Sequence, residues 1–327
     1  MKRIFAMPAA DSVRFLFRSM LFLPKLTRAK PHRQTPPCPS GFCRKLFRLG
    51  LPAWLGLAFA LLGLSAFAQD KAAGAAALPW VGGPEARMRL IAAQTSAQAT
   101  AEIGLEVRLA KGWKFYWRNP GEAGLKPAFD WSRSVNLASS EVRYPRPERF
   151  ELGGFESFVY SDHVVLPIGV AKEDPSRPLA LRLRLDYGIC EEICLPRTDE
   201  LALDLPAGPG LPKPEAALIA RFQAMVPKPA ESLGARFEVS RARLGRGQDA
   251  LVVRVRTPTR LLKPDLIIEG DPPLWFGRPE VEVAKGGQTV FRAPILSPEA
   301  IAPLKGRPIR FTLIDGLSAI EAKGVLP

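Results

Sequence analysis

The chain has 327 residues, 47% of them apolar, which is enough for a substantial core in about two domains and excludes a disordered protein. Its net charge of +14 invites a nucleic-acid reading, but residues 1–68 hold 11 Lys/Arg against one acid, so only +4 remains for everything after them. With no basic run beyond the leader and no nucleic-acid motif, binding to DNA or RNA is excluded as the expected role.

In the leader, Lys45 and Arg48 precede the apolar run "LPAWLGLAFALLGLSAFA", and Ala66-Phe67-Ala68 supplies small residues at signal-peptidase spacing. Export with cleavage after Ala68 is expected, giving a periplasmic protein. The alternatives are an uncleaved N-terminal anchor, since Leu51 to Ala68 is near the lower length limit of a membrane span, and a start further downstream, for example at Met20. Cys38 and Cys43 would be discarded with the leader.

A spacer (69–84) leads into short alternating segments: "RMRLIAA" from Arg87, "IGLEVRLA" from Ile103, "GWKFYWRNPG" from Gly112, "SEVRYP" from Ser140 and "HVVLPIGVA" from His163. Turn signals such as Asn119-Pro120-Gly121 and Gly153-Gly154 separate them. Many short strands with Pro and Gly between them predict an antiparallel β-sandwich over 85–206. Trp113, Phe115 and Trp117 share one strand face and read as core, while Lys114, Tyr116 and Arg118 take the other, toward solvent or a docking partner. Leu179, Leu181, Leu183 and Leu185 alternate with polar or small residues, and Leu201, Leu203 and Leu205 repeat the period, so Cys190 and Cys194 lie in the connection of a hairpin.

A Pro/Gly linker (207–234) then carries a helix of about three turns with Leu218, Phe222 and Met225 on one face. Strand patterns resume over 235–327 in "ARFEVSRARL", "ALVVRVRT", "DLIIEG", "VEVA", "TVFRAPI" and "IRFTLIDG". The expected fold class is therefore all-β: two immunoglobulin-like antiparallel sandwiches joined by a linker with a short helix.

Three chemistries compete for "YGICEEICLP". A structural disulfide closing so short a loop stabilises by about 2 kcal/mol on the loop-entropy account, a small gain for a chain with its own core. A Cu(I) site suits two soft thiolates, but His163 is the one histidine after the leader and reads as an ordinary surface or packed residue; Met88 and Met225 are isolated core candidates. A redox couple needs an accessible thiolate and a sulfur that can leave, which a strand turn provides. Glu191, Glu192 and Asp186 should raise a neighbouring thiol's pKa and Arg197 should lower it, with Tyr187 also near the thiols. No paired carboxylates, Ser/His/Asp set or phosphate loop argue for a hydrolase or nucleotide site.

"GWKFYWRNPGEAGLKPAFDW", "VYSDHVVLPI" and "LDYGICEEICLPRTDEL" together resemble the N-terminal periplasmic domain of the thiol:disulfide interchange protein DsbD family, especially its ScsB-like members, over about residues 85–206. The second β region is similar to the extra module of ScsB-like proteins. The resemblance implies an immunoglobulin-like sandwich acting as a protein-disulfide reductase type of relay, with no metal or organic cofactor and no small-molecule substrate. It implies Cys194 as the attacking thiol and Cys190 as the resolving one. It also implies an aromatic loop that caps the disulfide, within "RFELGGFESFVY", with Phe155 the first choice and Phe150 and Phe158 the others. The implied partners are periplasmic thiol:disulfide proteins with thioredoxin-like donors or acceptors. The sequence to Pro327 contains neither the family's membrane domain nor its thioredoxin-like domain, so a separate membrane electron donor is implied. Three residues separate these cysteines where well-known members have five. The competing reading is a non-catalytic periplasmic binding or assembly module, in cytochrome c or copper-enzyme maturation, with a permanent disulfide.

Overall fold

The computed structural model describes residues 79–327, apart from 123, 244–248, 272–273, 284–286 and 297–304. The leader, the cleavage expected after Ala68, and Cys38 and Cys43 lie outside the described residues. The first sandwich is built from β1 (Val81–Gly82), β2 (Ala86–Ala92), β3 (Thr100–Leu109), β4 (Lys114–Tyr116), β5 (Ala128–Asp130), β6 (Leu137–Val142), β7 (Glu148–Leu152), β8 (Phe155–Ser161), β9 (His163–Lys172), β10 (Leu179–Cys190) and β11 (Cys194–Leu205). Helix α1 (Glu215–Gln223) and β12 (Lys228–Pro229) follow. The second sandwich continues with β13 (Arg236–Arg243), β14 (Asp249–Arg256), β15 (Pro264–Gly270), β16 (Glu280–Val283), β17 (Gln288–Pro294), β18 (Pro308–Asp315) and β19 (Ser318–Val325).

Among the described residues these strands form four sheets. In the first sandwich, order β1-β2-β3-β9-β6 faces order β11-β10-β4-β8-β7, with β5 paired to β10. In the second, order β12-β19-β18-β15 faces order β13-β14-β17-β16. Both are immunoglobulin-like sandwiches, and nearly all neighbouring strands are antiparallel; β12 with β19 is a parallel pair.

The period-two alternation decides what each strand buries. Leu179, Leu181, Leu183 and Leu185 are each 0% exposed and meet Met88, Leu90, Leu105, Val107, Leu166 and Ile168 of the opposing sheet. Each fully buried Leu removes about 1.5–3 kcal/mol worth of apolar surface from water, so this stripe alone commits β10 to one register. Phe115 and Trp117 are also fully buried in this core, and Trp113 packs against it.

Three expectations are corrected. The segment "RFELGGFESFVY" is a β-hairpin, β7–β8, where the family resemblance implied a loop. Gly153 and Gly154, at φ of 61° and 85°, supply the two consecutive positive-φ residues that a two-residue hairpin connection needs. Helix α1 has nine residues and buries Ile219 and Phe222, whereas Leu218 and Met225 are only partly covered and Met225 lies beyond the helix. Lys114, Tyr116 and Arg118 do not share a solvent-facing surface: Tyr116 is 2% exposed, and Arg118 is held by carboxylates of the second sandwich.

Candidate functional site

Strands β10 and β11 pair over twelve consecutive positions, from Leu179 opposite Leu205 to Cys190 opposite Cys194. The cysteines are therefore the last pair of a long hairpin, joined across it by a disulfide with a Cα–Cα distance of 4.2 Å. The three residues between them, Glu191 to Ile193, make the connection, closed by the Glu191 amide donating to the Ile193 carbonyl at 3.2 Å. Backbone hydrogen bonding along the ladder holds the hairpin together independently of the sulfur–sulfur bond.

The two sulfurs sit in different surroundings. Cys190 is 1% exposed, because β10 is flanked on its other side by β4, which puts Lys114 opposite Cys190 and Phe115 opposite Ile189. Cys194 lies on the edge strand β11 and is exposed to solvent. A small apolar cluster of Tyr116, Val159 and Phe150 covers Cys190 on the outer face of this sheet.

Tyr116 connects the cluster to the exposed sulfur. Its hydroxyl is 3.2 Å from Cys194 Sγ, and since the disulfide sulfur carries no hydrogen, the tyrosine is the donor. Burial raises the pKa of Tyr116 above its ordinary value, which keeps the hydroxyl protonated and able to donate at neutral pH. Two glycines make room for the ring. A Cβ at Gly188 would lie 3.1 Å from one ring edge and 2.8 Å from Leu125 Cβ, and a Cβ at Gly124 would lie 2.6 Å from the other edge. The loop after β4 thus folds back over Tyr116 and lays Leu125 against β10.

A positive charge lies on the same face. Lys114 Nζ sits 5.5 Å from the Phe150 ring centroid and donates to Ser161 Oγ at 2.8 Å, while Ser161 in turn donates to Glu148 at 2.7 Å. An ammonium beside Cys190 favours a thiolate there, and the exposed Glu191 and Glu192 oppose it from the connection.

The sequence-derived residues divide accordingly. Cys190, Cys194, Glu191 and Glu192 are together at the hairpin end. Tyr187 and Arg197 pair three positions below the cysteines, so neither adjoins the sulfurs. Tyr187 donates to Asp199 at 2.6 Å and Arg197 pairs with Glu85 at 3.2 Å. Asp186 is also removed from the site and accepts from Thr198 and Arg184. Of the three phenylalanines, Phe150 packs beside Cys190, Phe158 is 6% exposed in the sandwich core against Trp117, and Phe155 is 54% exposed beside the β7–β8 turn. His163 Nε2 is 3.1 Å from Glu106, and the ring packs edge-on to Phe222. No cluster of three or more His, Cys, Asp or Glu suited to a metal occurs among the described residues.

Sequence reasoning placed Tyr116 away from the core but did not connect it to the cysteines. That link depends on β4, three residues long, pairing with β10 some 75 positions later, and short strands carry little register information. The available signal was the pair of glycines, Gly124 and Gly188, in otherwise well-patterned segments, since an isolated glycine in a strand often marks a close approach.

Residues 85–206 match the family described as thiol:disulfide interchange protein DsbD, N-terminal. The chain carries a DsbD N-terminal-type domain. Beyond this DsbD-type domain, residues 225–326 match a domain of unknown function (DUF8393). The N-terminal periplasmic domain of ScsB from Proteus mirabilis is similar in structure over 76% of this chain and 97% of its own, at 23% identity and a TM-score of 0.62, so the two share a fold. The reduced DsbD N-terminal domain of Neisseria meningitidis aligns with 38% of this chain and 90% of its own, at 14% identity and a TM-score of 0.25. No curated protein matches the sequence. Among the described residues no helix is long and apolar enough to cross a membrane.

Proposed function

We propose that the DsbD-type domain exchanges disulfides with other proteins in the periplasm through Cys190 and Cys194. The observation that carries this reading is the unequal exposure of the two sulfurs at the end of a hairpin whose backbone pairing does not depend on them. A permanent staple gains nothing from leaving one sulfur open, whereas an exchange couple requires it.

In the reducing direction, the Cys194 thiolate attacks one sulfur of a partner's disulfide. A mixed disulfide forms, and the partner's other sulfur leaves as a thiolate and takes up a proton. Cys190, deprotonated, then attacks Cys194 Sγ; the Cys190–Cys194 bond forms and the partner's remaining sulfur departs. Two electrons pass to the partner, and the pair ends oxidised. The same steps reversed recharge the pair from a dithiol donor. The Tyr116 hydroxyl stabilises negative charge on Cys194 Sγ both when it attacks and when it leaves. Phe150 and the β7–β8 hairpin shield Cys190, so Cys194 is the sulfur a partner meets. A thioredoxin-like protein is the partner class this chemistry suits.

The test is trapping. In cells expressing Cys190→Ser, the remaining thiol should accumulate a mixed disulfide that migrates as a higher-mass band and collapses on reduction, and Cys194→Ser should give none. Equal absence of such a band in both variants would overturn the exchange reading.

A further inference from the structure

Strand β15 presents Asp265, Ile267 and Glu269 at alternate positions, and all three reach into the first sandwich. Ile267, 1% exposed, is part of the first sandwich's core, and Ile314 of the neighbouring β18 packs against the same cluster. Asp265 accepts two hydrogen bonds from Arg149, at 3.0 Å from Nε and 2.7 Å from Nη2; Arg149 also reaches the Leu266 carbonyl at 3.1 Å and, within its own hairpin, pairs with Glu156 through its remaining nitrogen. Glu269 takes Arg118 through both its oxygens, with a shortest distance of 2.6 Å. Glu321 and Thr312 complete the Arg118 site at 2.5 Å and 3.2 Å.

The positions of these arginines matter. Arg118 stands two residues after Tyr116, whose hydroxyl touches Cys194, and Arg149 immediately precedes Phe150, which packs on Cys190. Both guanidiniums are mostly buried, with side chains 15% and 11% exposed. A planar guanidinium gripped through two nitrogens is fixed in orientation as well as distance, and one stripped of its carboxylates cannot stay buried. The second sandwich therefore grips the chain two residues beyond Tyr116 and one residue before Phe150, the two aromatic covers of the disulfide.

We propose that the second sandwich acts as a brace for the redox face, with Arg118 and Arg149 as positioning residues through which Glu269, Glu321 and Asp265 keep Tyr116 and Phe150 on the sulfurs. The proposal rests on the exchange reading above and gives the module of unknown function a task at that same site: setting how readily the disulfide is uncovered.

The experiment uses the full chain in oxidised form and dithiothreitol as the reductant, so no biological partner is needed. The rate of Cys190–Cys194 reduction is followed by quenching with an alkylating mass tag. Glu269→Gln with Glu321→Gln should accelerate reduction by about threefold or more, the scale of coupling between residues in one network. Asp265→Asn, a milder change should the double variant fold poorly, should accelerate it in the same direction, and Asp265→Glu should restore the wild-type rate. Glu282→Gln, which removes a carboxylate paired with Arg292 on the opposite sheet, should leave it unchanged. Combined with Tyr116→Phe, the Glu269/Glu321 change should have a clearly smaller effect than it has alone, because both act through one side chain. Unchanged rates in folded Glu269/Glu321 and Asp265 variants, or strictly additive effects with Tyr116→Phe, would overturn the brace. Trapping without a captured partner would remove the exchange reading while leaving these rates to be read on their own.

Discussion

Cys190 and Cys194 face one another across the final pair of the β10–β11 ladder, yet one is 1% exposed and the other open to solvent. The difference follows from sheet order: β10 is an interior strand with β4 on its far side, and β11 is the edge. Topology thus gives the sulfurs different exposure before any local charge is considered.

Tyr116→Phe removes the side-chain hydroxyl that donates to Cys194 Sγ while keeping the ring that fills the space between Gly124 and Gly188. A hydrogen bond to a charged acceptor is worth about 1.5–3 kcal/mol, so without it the Cys194 thiol in the reduced protein should lose its proton less readily and be alkylated more slowly near neutral pH. The pH dependence of iodoacetamide alkylation measures it. An unmoved titration would show that the hydroxyl does not serve the thiolate.

Phe150→Ala and Phe155→Ala should behave differently, although both residues lie in the same hairpin. Phe150 packs beside Cys190 and Phe155 is more than half exposed. Losing the Phe150 ring lowers the cost of local opening by about 1 kcal/mol, enough for about a fivefold faster reduction by dithiothreitol. Phe155→Ala should leave the chemical rate alone. The reverse ranking would place the cap on the turn instead of the strand.

Replacing both cysteines by alanine should cost about 2 kcal/mol, the loop-entropy value for a five-residue ring, and no more, because the ladder beneath them persists. Denaturant unfolding monitored by tryptophan fluorescence checks the size, and circular dichroism checks that the β content is retained. A loss of 4 kcal/mol or greater would make the bond structural.

Two steps should appear as the pH is lowered. Burial holds the His163 pKa below its usual 6.5 despite the adjacent Glu106, so the unfolded chain binds that proton more readily and stability should start to fall as the pH drops through about 6.5. Glu106 is fully buried; burial alone would raise its pKa, but hydrogen bonds and charges from Arg89 and Arg108 outweigh this and lower it from 4.5. Its contribution is complete above about pH 4.5 and is lost as the pH falls through the lower folded value. His163→Gln should abolish the first step, and Glu106→Gln the second while destabilising the protein at neutral pH by leaving Arg89 without its carboxylate. Midpoints of urea unfolding across this range would show an unchanged profile if the assignment were wrong.

What the sequence disclosed, and what it hid, divide by the distance along the chain over which information acts. The leucine stripes on either side of the cysteines announce β10 and β11 because alternation is local and a three-residue gap leaves few ways to connect them. Strand β19 was not recognised: "SAIEAKGV" has two apolar positions before a charged, glycine-containing end, and its place is fixed by pairing with β18. Tyr116 and Arg118 read as ordinary outward residues because what covers them comes from residues 124–125, 188, 269 and 321. The segment "DLIIEG" reads as one more strand, and only its partners in the first sandwich, Arg149 and Arg118, show that Asp265 and Glu269 are docking groups. The phenylalanine that packs beside Cys190 is one of the two alternatives and not the first choice, since the β7–β8 register decides which of three similar rings turns toward it.

The ladder that ends at the cysteines has a kinetic corollary. When the bond is open, eleven further paired positions still keep the two thiols face to face, so each experiences the other at a high effective concentration. In the proposed exchange, closure would then be intramolecular and quick, a captured partner would be released soon after it is caught, and a stable covalent complex should be seen when Cys190 has been taken away.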